Sequence, residues 1–198
     1  MTPNTPPAQM RPAPDLNALS RLLSAQPAQH RPLESWNPPD CGRMDLTIKA
    51  DGTWLYAGSP ITRAPLVNLF ASVLWREEDR YFLKTPVEKI EITVEDLPLF
   101  AVELQVVTEQ GDTQLVFRTS TEDVVIAGPD HALVMTQRTD GQALPALHIR
   151  RGLYARVTRS VYYQLVAQGE TQMDDGILWF GLRSKGCFFP MIEADALD

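Results

Sequence analysis

The chain has 198 residues, 44% of them hydrophobic and 22% charged, with a formal net charge of −7. That balance supplies enough apolar material for a globular core and argues against non-specific binding of a nucleic-acid polymer, which needs a clustered basic surface, although a local basic pocket for a small anion is compatible with it. No stretch reaches about 18 consecutive apolar residues, so no helical membrane span is expected.

Two cysteines, Cys41 and Cys187, cannot form a disulfide scaffold, and the three histidines, His30, His131 and His148, are scattered without metal-ligand spacing. No metal and no cofactor is therefore expected. The N-terminal stretch carries Arg11 and several prolines but no apolar signal-peptide core, which makes the cytoplasm the expected compartment.

Residues 1–40 hold nine of the sixteen prolines, too many for regular structure throughout. Within them Asp15 can cap a short helix carrying Leu16, Leu19, Leu22 and Leu23 and ending before Pro27, which we expect to dock on the body of the protein, with a partner as the alternative. The first folded unit is expected over 41–128. Met44–Lys49 alternates apolar and polar, Asp51-Gly52 supplies a turn, and Thr53–Ala57 returns, a hairpin signature. Gly58-Ser59-Pro60 then breaks the strand. Leu66, Leu69, Phe70, Val73 and Leu74 fall on one face of an expected helix with Thr62 as N-cap and Pro65 in its first turn. Glu77-Glu78-Asp79 marks the loop after it. Strands are expected at Tyr81–Leu83, Val87–Val94, Phe100–Val107, Gln114–Arg118 and Val124–Ile126.

From His131 the order begins again, which suggests a second unit over 129–198. Ala132–Thr136, the turn Asp140-Gly141 and Ala146–Arg150 repeat strand, turn and strand, and Val157-Thr158-Arg159 opens a second helix as Ile61-Thr62-Arg63 opens the first. The two helix starts lie 96 residues apart, with about seven extra residues between turn and helix in the second copy. The expected class is α+β, two related halves, each a small antiparallel sheet packed on one helix.

Gly52-Thr53-Trp54-Leu55-Tyr56-Ala57-Gly58-Ser59-Pro60-Ile61-Thr62-Arg63, followed by Leu66–Leu74 and Tyr81–Lys89, resembles the signature of the DUF1285 family. Arg151-Gly152-Leu153 and Tyr162-Tyr163-Gln164-Leu165 extend the likeness to the second half, over roughly 40–193. The resemblance implies a bacterial protein with a duplicated core and a C-terminal half superficially similar to pleckstrin-homology folds. It also implies a ligand site between the halves, a nucleotide-type ligand and a role in signal transduction.

The residues offer a physical basis for such a site. A helix N-terminus presents unpaired N–H groups to an anion, and Arg63 and Arg159 add forked cations at both helix starts. With Lys84 and Lys89 as further cations, Trp54 and Tyr56 as stacking faces, and Ser59 and Thr62 beside Arg63, the candidate ligand-binding set is Trp54, Tyr56, Ser59, Thr62, Arg63, Lys84, Lys89 and Arg159. Competing roles stand beside these. Thr62 and Thr158 can be plain caps, the arginines can pair internally with Glu88, Glu95 or Asp96, and Trp54 can be core. No phosphate loop or dinucleotide fingerprint is present. Catalysis has little support, since Glu88, Glu91, Glu95 and Asp96 read as a solvated strand face and Ser59 lacks a nucleophile elbow. The leading expectation is thus a non-catalytic protein sensing an anionic small molecule, with a protein-interaction module second and a hydrolase third.

Overall fold

The computed structural model describes Ser20, Leu23 and residues 31–109, 111–138 and 141–197. The helix expected after Asp15 lies outside these residues except for Ser20 and Leu23, both helical, with Leu23 buried.

The first half runs through β1 (Asp40–Ile48), β2 (Trp54–Tyr56), β3 (Ser59–Pro60), α1 (Ala64–Ala71), β4 (Leu74–Glu77), β5 (Arg80–Lys84) and β6 (Lys89–Val94). These strands form one sheet in the order β3-β2-β1-β6-β5-β4, antiparallel except where β1 lies parallel to β6. The second half runs through β7 (Leu99–Glu109), β8 (Asp112–Thr119), β9 (Val124–Ile126), β10 (Leu133–Gln137), β11 (Ala143–Arg150), β12 (Leu153–Val157), α2 (Arg159–Val166), β13 (Glu170–Asp174), β14 (Ile177–Ser184) and β15 (Cys187–Glu193). Its larger sheet has the order β10-β11-β12-β7-β8-β9, again with one parallel pair, β12 beside β7, and the meander β13-β14-β15 forms a third sheet. The two halves are similar, each mainly sheet with one helix, and the described chain is mostly β. The expected boundary at 128/129 runs between β9 and β10, which are the two edges of one sheet.

The stretch expected to pass from strand into helix makes a second hairpin first. Ala57 and Gly58 take positive φ (46° and 75°) and reverse the chain, so that Ser59 pairs with Tyr56 before the helix begins. Two consecutive positive-φ residues match the twist of the strands they join. Arg151 and Gly152 (49° and 70°) do the same between β11 and β12. The extra residues of the second copy are therefore accounted for by longer arms of this hairpin, not by a loop. The two turn glycines also correspond. Gly52 N–H donates to the Lys49 carbonyl and Gly141 N–H to the Arg138 carbonyl, each at 2.9 Å, with both glycines left-handed.

The first helix is shorter than its periodicity suggests. It spans eight residues and is followed at once by β4, so Val73 and Leu74 are buried beyond it and Leu74 pairs with Leu83. An apolar pair at i+7 and i+8 serves a buried strand as well as a helix face, and pairing with β5 decides between them. The N-cap position is Arg63 and not Thr62. Thr158 is the N-cap of α2, but its hydroxyl donates to the Ala101 carbonyl at 3.0 Å, tying the helix start to β7.

One contiguous apolar cluster joins the halves. Leu46, Phe70 and Leu83 from the first and Leu99, Phe117 and Leu153 from the second belong to it, each fully buried. Burying one such side chain contributes about 1.5–3 kcal/mol, so neither half keeps a complete core without the other.

Candidate functional site

Polar contacts across the junction of the halves come mainly from β11, β12 and the turn between them. Arg76 Nη1 donates to the Gly152 carbonyl at 3.2 Å, and Arg150 Nη2 donates to the Ala71 carbonyl at 3.0 Å. Arg151 forms an ion pair with Glu34. Arg156 makes the most buried link. Its Nε donates to Asp96 Oδ2 at 2.9 Å and its Nη2 to Asp96 Oδ1 at 2.6 Å, while Nη1 reaches the Thr136 hydroxyl at 2.6 Å and the Leu144 carbonyl at 3.0 Å. The side chains of Arg156 and Asp96 are only 4% and 6% exposed, so the forked pair stands in a low-dielectric setting where both charges need all their partners.

Beside this link lies a cavity of about 520 Å³. Phe100 and Arg156 are register partners on β7 and β12 and point to the same face of the sheet. They form part of its wall with the Arg138 end of the β10–β11 hairpin and Arg159, Tyr162 and Tyr163 of α2. Asp51 closes it from the first half, because Gly52 packs so tightly that an added Cβ would lie 3.0 Å from the Phe100 ring. The Thr53 N–H donates to Asp51 Oδ1 at 2.9 Å and holds that carboxyl below its usual range, so Asp51 stays anionic. The chemistry is asymmetric. Arg156 is neutralised by Asp96, whereas Arg159 is exposed and makes no ion pair among the described residues. Arg159 Nε donates to the Tyr163 hydroxyl at 3.2 Å, with its guanidinium 5.8 Å from that ring. A partly neutralised basic wall with tyrosine faces can hold an anion and stack or cover its apolar part.

The model of the DUF1285 N-terminal domain, a domain of unknown function, matches residues 31–97, and that of the DUF1285 C-terminal domain matches 98–191. A DUF1285 family protein of Silicibacter pomeroyi DSS-3 has a crystal structure 41% identical to this chain, covering 94% of this chain and 99% of that one, with a TM-score of 0.85. The chain belongs to the DUF1285 family. A second DUF1285 crystal structure, from Shewanella baltica OS155, is 33% identical and covers 63% of this chain and 91% of that one, with a TM-score of 0.50. No curated protein matches the chain. The DUF1285 assignment thus carries the fold and no activity.

Of the eight residues singled out in the sequence, the cavity takes Arg159. Arg63, Thr62 and Ser59 are exposed around β3 and the start of α1, and none of them lines the cavity. Trp54 is a core residue, 4% exposed, which leaves its ring no free face for stacking, and Tyr56 is half-buried against the same core. Lys84 is buried with its ammonium 3.8 Å from the Trp75 ring centre. Lys89 donates to Glu77 Oε2 at 2.6 Å and lies 4.7 Å from the Phe82 ring. The two lysines therefore belong to the cation–aromatic face of β4, β5 and β6. Of the three carboxylates that could pair internally with the arginines, Glu95 is taken by Lys49 and Asp96 by Arg156. Glu91 pairs with Arg80. Arg138 and Arg156 carry no local motif, and Tyr162 and Tyr163 stand out in the sequence only through the family likeness, not as ligand-binding residues. The one available signal was β12 itself, where Arg156 alternates with apolar Ala155 and Val157.

Burial pushes the Lys84 ammonium below its ordinary value. The folded protein therefore binds fewer protons there than the unfolded chain in the range just below the ordinary lysine value, and stability gains with rising pH in that window. Comparing denaturant unfolding of wild type and Lys84→Met from pH 7 to 10.5 checks this: the difference should move toward wild type as pH rises. A constant difference would show that Lys84 is solvated.

Proposed function

We propose that this DUF1285 chain is a non-catalytic binding protein that senses an anionic small molecule at the junction of its two halves. The observation that carries the reading is the cavity in which Arg159, without a carboxylate partner among the described residues, faces Tyr162 and Tyr163. For a nucleotide-type ligand, phosphate would meet Arg159 and Arg138 while a base lay against Tyr162 or Phe100. Because Asp51 comes from the first half and α2 from the second, a ligand whose anionic end meets Arg159 and whose neutral hydrogen-bond donors meet the Asp51 carboxylate would bias how they sit together, which is the physical content of a sensing role. We take the division of the chain to fall between residues 97 and 98.

The test is thermal unfolding against a panel of nucleotides, dinucleotides and simple organic anions. At least one anion should raise the melting temperature by mass action. Arg159→Gln should weaken that anion about 10- to 100-fold, the range of a lost charge-assisted hydrogen bond, while Arg63→Ala should leave it unchanged. No stabilisation by any anion, or stabilisation indifferent to Arg159, would sink the reading.

A second reading, a protein-interaction module, draws on the exposed valines Val107 on β7 and Val124 on β9, which the register through β8 places on one face of the sheet. The pleckstrin-homology likeness that the family resemblance implies for the second half belongs with it. Retention of a partner by wild type but not by a Val107→Lys, Val124→Lys variant would favour it.

A further inference from the structure

A second cavity, about 460 Å³, lies within the second half between the large sheet, α2 and the β13-β14-β15 meander. Its lining includes Met135, Leu165, Val166, Phe180, Leu182 and Ile192, and among all its lining side chains the Tyr162 hydroxyl is the sole polar group. Tyr162 also lines the junction cavity, so the arginine-bearing space and the apolar space share one residue as a wall.

The helix orders the two chemistries. Arg159, Tyr162, Tyr163 and Val166 fall at i, i+3, i+4 and i+7 of α2 and share a face. Seven residues span about 10 Å along a helix. Over that length the face passes from a guanidinium, across two tyrosines, to an aliphatic side chain. Val166 is 44% exposed and Ile192 38% exposed although both line the apolar cavity, so its mouth presents aliphatic surface to water. A pocket of this size and lining falls within the range of small-molecule sites.

We infer that the anion taken by the junction cavity is the head of an amphiphile, an alkyl carboxylate or alkyl phosphate whose aliphatic chain passes Tyr162 and fills the cavity lined by Val166, Phe180 and Ile192. This rests on the anion-binding reading above and narrows it. The head meets Arg159 and the chain covers the exposed aliphatic rim, so affinity has two separable parts. The head fixes a constant, and each methylene that leaves water adds a fixed increment, about fourfold per group.

The experiment titrates the full-length protein by calorimetry with n-alkyl carboxylates from butanoate to decanoate and with n-alkyl phosphates of the same lengths. Nucleotides and n-alkanols serve as comparison sets. The expected result is an affinity that climbs about fourfold per methylene in the anionic series and is at least tenfold weaker for the alkanol of equal length. Arg159→Gln should weaken every anionic chain length by a similar factor and leave the increment intact. Val166→Asp, at an exposed position that tolerates charge, should abolish the increment. The better of the two anionic series identifies the head. Nucleotide binding with no chain-length dependence in either alkyl series overturns the amphiphile and leaves the junction reading standing. Chain-length dependence that survives Val166→Asp, or alkanols binding as well as the acids, also overturns it. Failure of every anion removes both.

Discussion

Asp96→Ala is expected to destabilise the protein by about 3–5 kcal/mol, the range for stripping one partner from a buried ion pair. Arg156 would keep its charge in a site 4% exposed while losing both bonds from Nε and Nη2. Its remaining donors, to Thr136 and Leu144, satisfy only Nη1. The loss also falls at the seam of the molecule, because Asp96 follows β6 of the first half and Arg156 lies on β12 of the second. For a chain of this size the shift in melting temperature is roughly 10 °C. Since one apolar cluster spans both halves, the variant should still melt in a single transition at lower temperature. The double variant Asp96→Leu, Arg156→Met removes both charges at once and should recover most of the loss, as apolar replacement of buried pairs often does. A deficit below about 1 kcal/mol for Asp96→Ala would mean that water reaches the pair.

That pair illustrates what can and cannot be read from one sequence. Local chemistry was legible. The Asp51-Gly52 turn, the alternation of β6 and the second strand–turn–strand–helix series follow from periods and turn residues that act over a few positions. The family resemblance through Trp54–Arg63 also pointed to the right relatives. Partner choice was not legible, because it is set by the sheet order. Nothing local says that β1 lies parallel to β6 and β12 parallel to β7, yet those two pairings bring Asp96 to Arg156 and Phe100 to the start of α2. Trp54 and Lys84 show the same limit. Their residue types suit a ligand platform, but the packing of β2 and β5 turns them inward. Arg63 and Arg159 look equivalent in sequence, whereas Arg63 precedes the first helical residue and stands exposed by β3. Arg159 begins its helix beside the longer β11–β12 hairpin, whose arms build the wall of the cavity. The extra residues of the second copy thus build the wall of the cavity that Arg159 lines and Arg63 does not.

Gly181→Ala is expected to cost about 3 kcal/mol, although glycine to alanine inside a strand ordinarily gains a fraction of that. Gly181 lies on β14 opposite Pro190 of β15, next to the register shift between Phe180 and Gly181. A Cβ there would lie 2.4 Å from the Phe189 carbonyl oxygen and 2.6 Å from the end of the Phe188 ring. A ring can turn, but the carbonyl belongs to the backbone of the paired strand, so relief requires β15 to move. Moving it strains the pairing of Leu182 with Phe189, both buried in the shared core, and overpacking of this kind costs about 1–3 kcal/mol, occasionally more. Gly169→Ala is the control. Its Cβ would fall 1.9 Å from the tip of the Phe180 ring, a worse overlap by distance, but that ring borders the apolar cavity and has space to swing. Its cost should stay near 1 kcal/mol, the scale of one displaced rotamer. Chemical denaturation of the two variants decides the matter. If Gly169→Ala proves the more damaging, Phe180 is held rigidly and the cavity beside it has no room for the ring.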